Sequence, residues 1–291
     1  MKYDMVIVGA GPAGLSAAIK LKQLDKKNNT NHSVCIIEKG AEVGAHILSG
    51  AILDPIALNE LIPDWKDLDI PIKTKVSREE FTFVTKSKSY TVPNIFLPKD
   101  LKNEGNYIIS LGNMCKWLGD YATKLGVDIF PGFTAQKILY DDKNKVKGII
   151  TGEKGLNKSG EKSNLYEPPL ALIAKQTIFA EGCRGHLGKE LINKYNLYSK
   201  GKFQTYAIGL KELWEVDNKS FSVGNVLHTI GWPLYNNGYG GSFVYKLSEN
   251  IVSIGFVIGL DYKNTYLNPY EEFQRFKTHD KIKNILKDGK R

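Results

Sequence analysis

A short apolar run that ends in a glycine-rich turn constrains the fold of this chain more than any other feature. Residues 3–9 (YDMVIVG) are mostly apolar and have the length of a buried parallel strand. The apolar spacing of residues 12–24 then predicts a helix, and a second apolar run covers residues 33–38. Strand, helix and strand in this order predict a βαβ unit, the building block of an α/β fold with a largely parallel sheet.

The turn between the first strand and the helix, residues 9–14 (GAGPAG), is typical of a dinucleotide-binding site. Gly9 permits the tight turn, Gly11 lets the backbone approach a pyrophosphate, and Gly14 lets the helix pack close to the strand. The N-terminus of the helix presents N–H groups and a positive dipole to the phosphates. A glycine-rich turn without a ligand is the alternative, which the surrounding strand, helix and acid disfavour.

An acidic residue completes this pattern. Glu38 ends the second strand, where a carboxylate suits the hydroxyls of an adenosine ribose. It follows Gly14 by 24 residues, slightly later than usual, because the polar loop DKKNNTNH lengthens the connection. The residues predicted to form this part of the site are Val8, Gly9, Ala10, Gly11, Pro12, Ala13, Gly14, Glu38 and Lys39.

Further segments favour FAD over NAD as the dinucleotide. Pro12 and Ala13, inside a glycine motif close to Met1, are typical of flavoproteins. Small residues in GAHILSG, residues 44–50, would let a flavin lie against backbone, although an ordinary loop is the alternative. An apolar strand that ends in Ala180-Glu181-Gly182 resembles the segment by which a flavoprotein sheet returns to cover its cofactor. With Ala135, in a predicted strand, these segments add to the cofactor-binding residues Gly44, Ser49, Gly50, Ala135, Glu181 and Gly182.

The charge of the chain says little about its partners. The net charge is +9, but only four of the 40 basic residues are arginines. Because Arg is the usual choice for phosphate recognition, we interpret the lysine excess as a compositional bias. A nucleic-acid-binding patch is the alternative, and even a compositionally biased basic surface attracts anionic lipid or an acidic partner. Nucleic-acid binding is not expected, since the basic residues are scattered and not interleaved with aromatic ones.

Cysteine spacing and hydropathy exclude further classes of protein. Cys35, Cys115 and Cys183 share no CxxC spacing, so neither a cluster site nor a disulfide framework is expected. No run of roughly 18 or more apolar residues predicts a transmembrane helix. The first strand begins close to Met1, so no signal or transit peptide is expected.

The remaining patterns predict two interleaved lobes. Helices are predicted over Pro55–Leu61, 110–125, 185–195 and 269–287. Strands are predicted over 81–92 as a hairpin, 127–130, 134–140, 146–151, 170–180 as a pair, and in four runs between 203 and 262, with a loop over 94–105 and a polar surface excursion over 152–168. We therefore predict an FAD-binding, Rossmann-like domain from residues 1–76 and 104–198, and an α+β lobe from residues 77–103 and 199–291.

Seven motifs, all in the same order, closely resemble electron transfer flavoprotein–ubiquinone oxidoreductase. They are Gly44–Gly50, Asn106–Ile108, Phe179–Cys183, Gly209–Trp214, Gly231–Leu234, Tyr239–Phe243 and Gly259–Tyr262. The resemblance implies an FAD domain and a ubiquinone domain of flavin hydroxylase or prenyl reductase architecture, with a C-terminal iron–sulfur domain. It implies an enzyme that takes electrons from reduced electron transfer flavoprotein, passes them through FAD and a [4Fe–4S] cluster, and reduces ubiquinone at a membrane surface.

The same resemblance implies a quinone site at Gly240 and Gly241. Without side chains, the backbone there would meet a flat ring and bind its carbonyl oxygens. A turn or bulge that needs positive φ is the alternative. Because the chemistry is electron transfer, we assign no catalytic general acid, base or nucleophile and no metal ligand. His46, His186 and His228 are candidate proton donors, and none of them is assigned.

Membrane contact is implied too, since the family is monotopic. The candidate segment is 52–65, and a helix packed on the protein's own core is the alternative. The predicted contact residues are Ile52, Leu53, Ile56, Leu61, Ile62 and Trp65. The expected location is the cytoplasmic face of a bacterial inner membrane, or the mitochondrial inner membrane in a eukaryote.

The sequence also departs from the family pattern. The family continues beyond the position of Arg291 with a second flavin-contacting segment and the cluster domain, and no cysteine here matches a cluster ligand. We therefore expect the chain to be the N-terminal portion of a longer enzyme. The alternatives are an NAD(P)H-dependent FAD hydroxylase or prenyl reductase, a related oxidoreductase that feeds electrons to nitrogen fixation, and an inactive FAD-binding remnant.

Overall fold

Strand pairing sorts the chain into two units, each with a six-stranded sheet. The computed structural model describes residues 1–48, 50–198, 204–234 and 238–291. The first unit comprises Met1–Ser49, Leu58–Pro71 and Leu111–Lys202, and the second comprises Gly50–Ala57, Ile72–Ser110 and Phe203–Arg291.

The elements confirm most of the predicted pattern. In chain order the described strands are β1 (Lys2–Val8), β2 (Val34–Glu38), β3 (Ala51–Leu53), β4 (Thr74–Lys75), β5 (Arg78–Val84), β6 (Ser89–Val92), β7 (Tyr107–Ile109), β8 (Asp128–Pro131), β9 (Ala135–Tyr140), β10 (Val146–Thr151), β11 (Lys154–Leu156), β12 (Lys162–Glu167), β13 (Ala171–Phe179), β14 (Ala207–Glu215), β15 (Asn225–Gly231), β16 (Gly240–Lys246) and β17 (Ile251–Gly259). The described α-helices are α1 (Pro12–Asn28), α2 (Ile56–Leu61), α3 (Leu111–Lys124), α4 (His186–Lys194), α5 (Pro269–Lys277) and α6 (Asp280–Ile285).

The first unit is built on the predicted βαβ unit. Its sheet has the order β8-β2-β1-β13-β10-β9, in which the first four strands are parallel and β10 pairs antiparallel with both β13 and β9. Val6 and Ile7 of β1 are fully buried, as expected of a central strand that is covered on both faces. Helix α1 begins with Pro12 at its first turn and ends at Asn29, whose φ of 55° is a left-handed C-cap.

The second unit is an antiparallel-rich sheet with helices on one face. Its order is β14-β17-β16-β15-β5-β6. Phe256 of β17 stacks on Phe273 and Phe276 of α5 at centroid distances of 6.0 and 5.5 Å, so aromatic packing fixes this helix to the sheet. Asn268 caps α5 by accepting hydrogen bonds from the N–H groups of Tyr270 and Glu271.

Four local predictions were wrong or incomplete. The run 170–180 forms one strand rather than a pair, because β13 pairs with the whole length of β1. The predicted helix over 269–287 breaks into α5 and α6, since His279 caps a new helix. The excursion over 152–168 contains the hairpin of β11 and β12. Strand β7, between the predicted loop and α3, was not predicted at all.

The units also divide the chain differently from the predicted domains. Three short segments that we placed with the nucleotide-binding lobe lie in the second unit: 50–57, 72–76 and 104–110. The physical reason is that β3, β4 and β7 pair with one another in a small sheet. Ile108 of that sheet packs in one apolar cluster with Val226 and Tyr245 of the large sheet.

The cap of α6 gives a test of this fold. His279 is buried, and its Nδ1 accepts a hydrogen bond from the Lys281 N–H at 3.2 Å. We expect His279→Ala to lower the free energy of unfolding by about 1–2 kcal/mol, whereas His279→Asn should retain most of the stability, because Asn also caps helices. Denaturant unfolding of both variants measures this. Equal losses would show that the ring's packing, and not the cap, is what stabilises this region.

Candidate functional site

Three strand ends meet at one edge of the first sheet. Strand β1 pairs in parallel with β2 on one side and with β13 on the other, which places Val8 beside Ile37 and Phe179. The segments that follow these strands therefore share the carboxyl edge, where open α/β sheets bind ligands. The segments after β1 and β2 carry the predicted glycine turn and the residues around Glu38, and the segment after β13 carries the predicted cofactor residues Glu181 and Gly182.

The glycines of the first turn have different surroundings. Gly9 has a φ of +107°, and a Cβ on it would overlap the Ala180 carbonyl oxygen. A Cβ on Gly14 would overlap the carbonyl oxygen of Gly9. In contrast, a Cβ on Gly11 would meet no described atom within 4 Å. Gly9 and Gly14 are thus needed for the turn itself, while the backbone of Gly11 is open to a ligand, as a bound pyrophosphate requires.

The N-terminus of α1 is suited to an anion. Gly11 is the N-cap and supplies no side-chain acceptor, so nothing of its own competes for the N–H groups of the first turn. The helix has 17 residues, and its first turn contains no acidic residue. Pro12 and Ala13 are exposed. A phosphate at this position would meet N–H groups and the positive end of the dipole.

Glu38 links the two turns. Its Oε2 accepts a hydrogen bond from the Ala10 N–H at 2.9 Å, and its Oε1 accepts one from the Gly40 N–H at 2.7 Å. Each carboxylate oxygen has a second lone pair, so hydroxyl donors of a ribose can still bind. Lys39 is exposed beside it. The residues present thus fit a dinucleotide.

The sequence reasoning missed three residues around Glu38. Gly40 donates to the Glu38 carboxylate, and the N–H of Phe133 donates to the Glu38 carbonyl oxygen at 3.0 Å. The Gly132 N–H donates to the Gly40 carbonyl oxygen at 2.7 Å, which joins the turn after β8 to the turn after β2. The signal available in the sequence was Pro131-Gly132 at the end of a predicted strand, a common turn pair.

Segment 44–50 has an explanation within the protein. Gly44 has a φ of +90°, and a Cβ on it would overlap the carbonyl oxygen of Gly112, at the start of α3. Gly50 has a φ of +84°, and a Cβ there would overlap Ser253 Oγ. Ser49 lies outside the described residues. Close packing accounts for both glycines, and cofactor contact by this segment stays a prediction.

The remaining predicted cofactor residues differ in their surroundings. The Glu181 carboxylate accepts hydrogen bonds from the N–H groups of Leu187 and Gly188 at 3.3 and 2.7 Å, so it caps α4. Gly182 has a φ of +80° and open space at its Cβ position among the described atoms. Ala135 is buried in the core of the first sheet, so only its backbone could reach a ligand.

A second candidate site lies on the face of the large sheet opposite α5 and α6. Val244 of β16 and Ile254 of β17 belong to the apolar cluster under the helices. Because side chains alternate along a strand, Gly241, Phe243 and Tyr245 point to the other face.

Part of this face is covered, because Tyr245 is 7% exposed and packs with Ile108 of the small sheet. Ile230 and Phe83 on the same face are exposed. The predicted quinone residues lie on this face.

The paired glycines of β16 are explained by strand packing. A Cβ on Gly241 would lie 2.6 Å from the Thr229 carbonyl oxygen. A Cβ on Gly240 would overlap the Val257 carbonyl oxygen. Neither glycine has a φ in the left-handed region that the alternative reading required. The sheet alone therefore demands glycine at both positions, and quinone contact there stays a prediction.

The row of residues through Gly241 is apolar. Gly241 lies opposite Val257, which lies opposite Gly209. On the other side, the Ile230 Cγ2 lies 3.5 Å from the Gly241 Cβ position, and Ile230 lies opposite Phe83. Ile230 and Phe83 are exposed. This exposed apolar row gives the sheet a surface on which a flat apolar ring could lie.

The neighbouring row carries polar groups. It runs from Lys211 through Gly255 and Phe243 to His228. The His228 Nε2 lies 2.8 Å from the Tyr245 Oη. Burial lowers the pKa of His228 and the pKa of Lys211.

The predicted membrane segment is wrong in part. Ile62 and Trp65 are 0% and 2% exposed, and the Trp65 indole N–H donates to Asn59 Oδ1 at 2.7 Å. Their apolar surface is packed inside the protein, which the amphipathic pattern alone could not distinguish from lipid contact. Ile56 is exposed, while the remaining predicted residues are half-buried: Ile52, Leu53 and Leu61.

Exposed apolar residues gather elsewhere in the second unit. They lie on the hairpin of β5 and β6 and on the loop after it: Phe83, Tyr90, Ile95, Phe96 and Leu101. Ile95 and Phe96 are 81% and 75% exposed. The loop is held to β5, since the Glu79 carboxylate accepts hydrogen bonds from the Asn103 N–H at 2.7 Å and from its side chain at 3.0 Å. Among the described helices, none has both the length and the apolar character to cross a bilayer.

Comparison with solved structures shows the fold. A geranylgeranyl bacteriochlorophyll reductase-like protein from Thermoplasma acidophilum superposes with a TM-score of 0.69 over 99% of this chain and 64% of its own, at 19% identity. A flavin-dependent brominase superposes with a TM-score of 0.67 over 99% of this chain and 66% of its own, also at 19% identity. The predicted fold class, a Rossmann-like α/β domain with an interleaved second lobe, is confirmed.

Comparison of sequences shows the relationship. A family model of NAD(P)-binding Rossmann-like domains matches residues 7–60, and a model described as ETF-QO, ubiquinone-binding, matches residues 206–291. The electron transfer flavoprotein-ubiquinone oxidoreductase of Pseudomonas aeruginosa is 53% identical over all of this chain and 53% of its own length. The mitochondrial protein of that name from Mus musculus is 50% identical over 99% of this chain and 47% of its own. The predicted resemblance is thus confirmed: the chain is related along its whole length to the electron transfer flavoprotein–ubiquinone oxidoreductases, and it spans about half the length of those relatives.

Proposed function

We propose that this chain provides the FAD site and the ubiquinone site of an oxidoreductase that passes electrons from reduced electron transfer flavoprotein to ubiquinone at a membrane surface. The observation that carries the proposal is the pairing of two features in one chain. One is the open turn at Gly11, beside Glu38, in the first unit. The other is the exposed apolar row through Gly241, inside the region matched by the ubiquinone-binding model.

The residues of the first unit would hold the dinucleotide. The first turn of α1 binds the pyrophosphate, and Glu38 accepts hydrogen bonds from the ribose. FAD, when bound, supplies the electron transfer chemistry, so the protein's task is to position it. FAD rather than NAD is supported by solved structures of the same fold, which include a flavin-dependent brominase and a halogenase in complex with FAD.

The described residues do not fit an iron–sulfur cluster. No group of three cysteine, histidine or carboxylate side chains is gathered among them. Cys35 and Cys115 are both buried, and burial raises the pKa of Cys35 to about 12 and that of Cys115 to about 11, while Cys183 is exposed. We assign no step to a cluster in this chain.

An NAD(P)H-dependent hydroxylase or reductase of the same fold is the second candidate, supported only by the likeness in fold. Reduction of the bound flavin separates the two. Reduced electron transfer flavoprotein should reduce it, while NADPH should not. Rapid reduction by NADPH would favour the second candidate.

Gly11 gives a test of the FAD site that does not disturb folding. Because its Cβ position is open, Gly11→Val should leave the fold intact and block the approach of the pyrophosphate. We expect the purified variant to contain less than about a tenth of the wild-type flavin, because losing the hydrogen bonds to the phosphates lowers the affinity for FAD by well over tenfold. Flavin absorbance per protein measures this. Gly152→Val, where a Cβ would make only ordinary contacts with Thr134 at 3.8 Å and Gln136 at 3.9 Å, is the control. Equal flavin content in both variants would contradict the site.

Ile230 gives a test of the quinone surface. Substituting Gly241 would disturb strand pairing, whereas Ile230 is exposed beside it. We expect Ile230→Asp to weaken binding of a short-chain ubiquinone by about tenfold or more, because a carboxylate would be desolvated under the ring. Leu213→Asp, exposed on the edge strand β14, should bind normally. Titration of quinone against each variant decides it, and equal binding by both would contradict the surface.

The exposed apolar group of the β5–β6 region replaces segment 52–65 as our proposed membrane contact. Its two most exposed members share one short turn of the loop, and a peripheral protein binds a bilayer by burying such residues. The membrane face and its location in the cell remain part of this proposal.

Ile95 and Phe96 test that contact. We expect the double variant Ile95→Asp, Phe96→Asp to lose most of its sedimentation with phospholipid vesicles, because two charges would enter the interface. Leu165→Asp, on the β11–β12 hairpin and 79% exposed, should sediment like the wild type. Loss in the control as well would show that apolar exposure in general, not this loop, determines binding.

A further inference from the structure

The proposed function does not identify the group that donates protons to the quinone when it is reduced. Reduction of a quinone needs two electrons, which bound FAD would supply, and two protons, which form O–H bonds at the carbonyl oxygens. A ring on the row through Gly241 would lie among the side chains of Val257, Ile230 and Phe83, none of which carries a proton donor. A donor must therefore come from a neighbouring position.

The three histidines that the sequence offered as candidate proton donors differ in exposure and in their place in the fold. His46 and His186 lie in the first unit, where both are exposed and His186 Nδ1 lies 3.4 Å from Glu181 Oε1. His228 lies on β15, within the region matched by the ubiquinone-binding model. It is half-buried and directly opposite Phe243, which places it diagonally across from Gly241 on the face away from α5 and α6. Diagonal neighbours in a sheet are roughly 7–8 Å apart, within reach of a long side chain and a ligand between them.

Tyr245 holds His228 in a defined state. The two groups share a hydrogen bond of 2.8 Å, and the Phe243 ring stacks on Tyr245 at 4.6 Å. Burial lowers the pKa of His228, with Glu79 of β5 acting more weakly in the opposite direction, and burial raises the pKa of Tyr245. Both groups are therefore neutral near pH 7. When the phenol donates to Nε2, the other ring nitrogen of His228 carries a proton that it can give away.

We infer that His228 is the hydrogen-bond and proton donor to one carbonyl oxygen of the quinone, and that Tyr245 is the residue that positions it. The inference rests on the proposed quinone site. One O–H bond forms at the quinone and one N–H bond of His228 breaks, while the phenol proton moves to Nε2 and a hydronium proton from solvent re-forms the phenol O–H bond. The second proton, also from solvent hydronium, reaches the other oxygen, so that two solvent protons are consumed for each quinol formed.

Binding and spectroscopy test this without relying on turnover. With a short-chain ubiquinone as the probe, we expect His228→Leu to weaken binding about tenfold and His228→Gln, which keeps a donor, to restore it to within about threefold. In the wild type, the imidazole ¹⁵N signals of His228 should shift when quinone is added. In Tyr245→Phe the tautomer signature should change before any quinone is added, which a purely packing role would not cause.

Two controls make the outcome decisive. His32→Gln, at a histidine bound to Asp25 in the first unit, should bind quinone normally. Tyr239→Phe tests the other donor next to the glycines, a phenol that is 79% exposed. Loss of binding in Tyr239→Phe but not in His228→Leu would overturn the assignment of His228. If the wild type binds no quinone, the proposed site itself fails; if it binds and His228→Leu binds equally well, only this inference fails.

Discussion

The pairing of β1 with strands on both sides is the interaction on which the rest of the first unit depends. By binding β2 and β13 in parallel, β1 brings three carboxyl ends to one edge, so that segments far apart in sequence lie together. The same pairing places Ala180 against Gly9, which leaves no room for a side chain there. Helix α1 can then start directly after the turn, with the N–H groups of its first turn directed at the space beyond the sheet edge.

The glycines show that a missing side chain has two distinct physical causes. At Gly9, Gly14 and Gly44 the protein's own backbone fills the space that a Cβ would need. The same is true of the glycine pair in β16, the feature that the family resemblance connects with quinone. Gly11 is different, because nothing described approaches its Cβ position. In a sequence both kinds are written with the same letter, so only coordinates separate a turn that needs glycine from a turn that leaves room for a ligand.

On the face of the second sheet away from α5 and α6, whole rows of residues, and not only single glycines, depend on the tertiary structure. The alternation was evident in the sequence, but the partners of each residue depend on register. Register places Gly241 in an apolar row and His228 in the polar row beside it, next to Tyr245. A histidine that looked like one of three equivalent candidates thereby becomes the one that borders the proposed quinone surface. The apolar stripe at 52–65 shows the opposite case, because a stripe looks the same whether it covers a protein core or a lipid surface, and here Ile62 and Trp65 cover the core.

The sequence by itself determined the local elements and the class of the first site. Apolar period, a glycine-rich turn and a strand-terminal acid act over a few residues, so the βαβ unit, α3 and the position of Glu38 could be predicted. Tertiary structure alone decided which units the short strands β3, β4 and β7 join, that the last predicted helix breaks at His279, and that Glu181 caps α4. These outcomes depend on contacts between segments far apart in the chain, whose energies no local pattern contains.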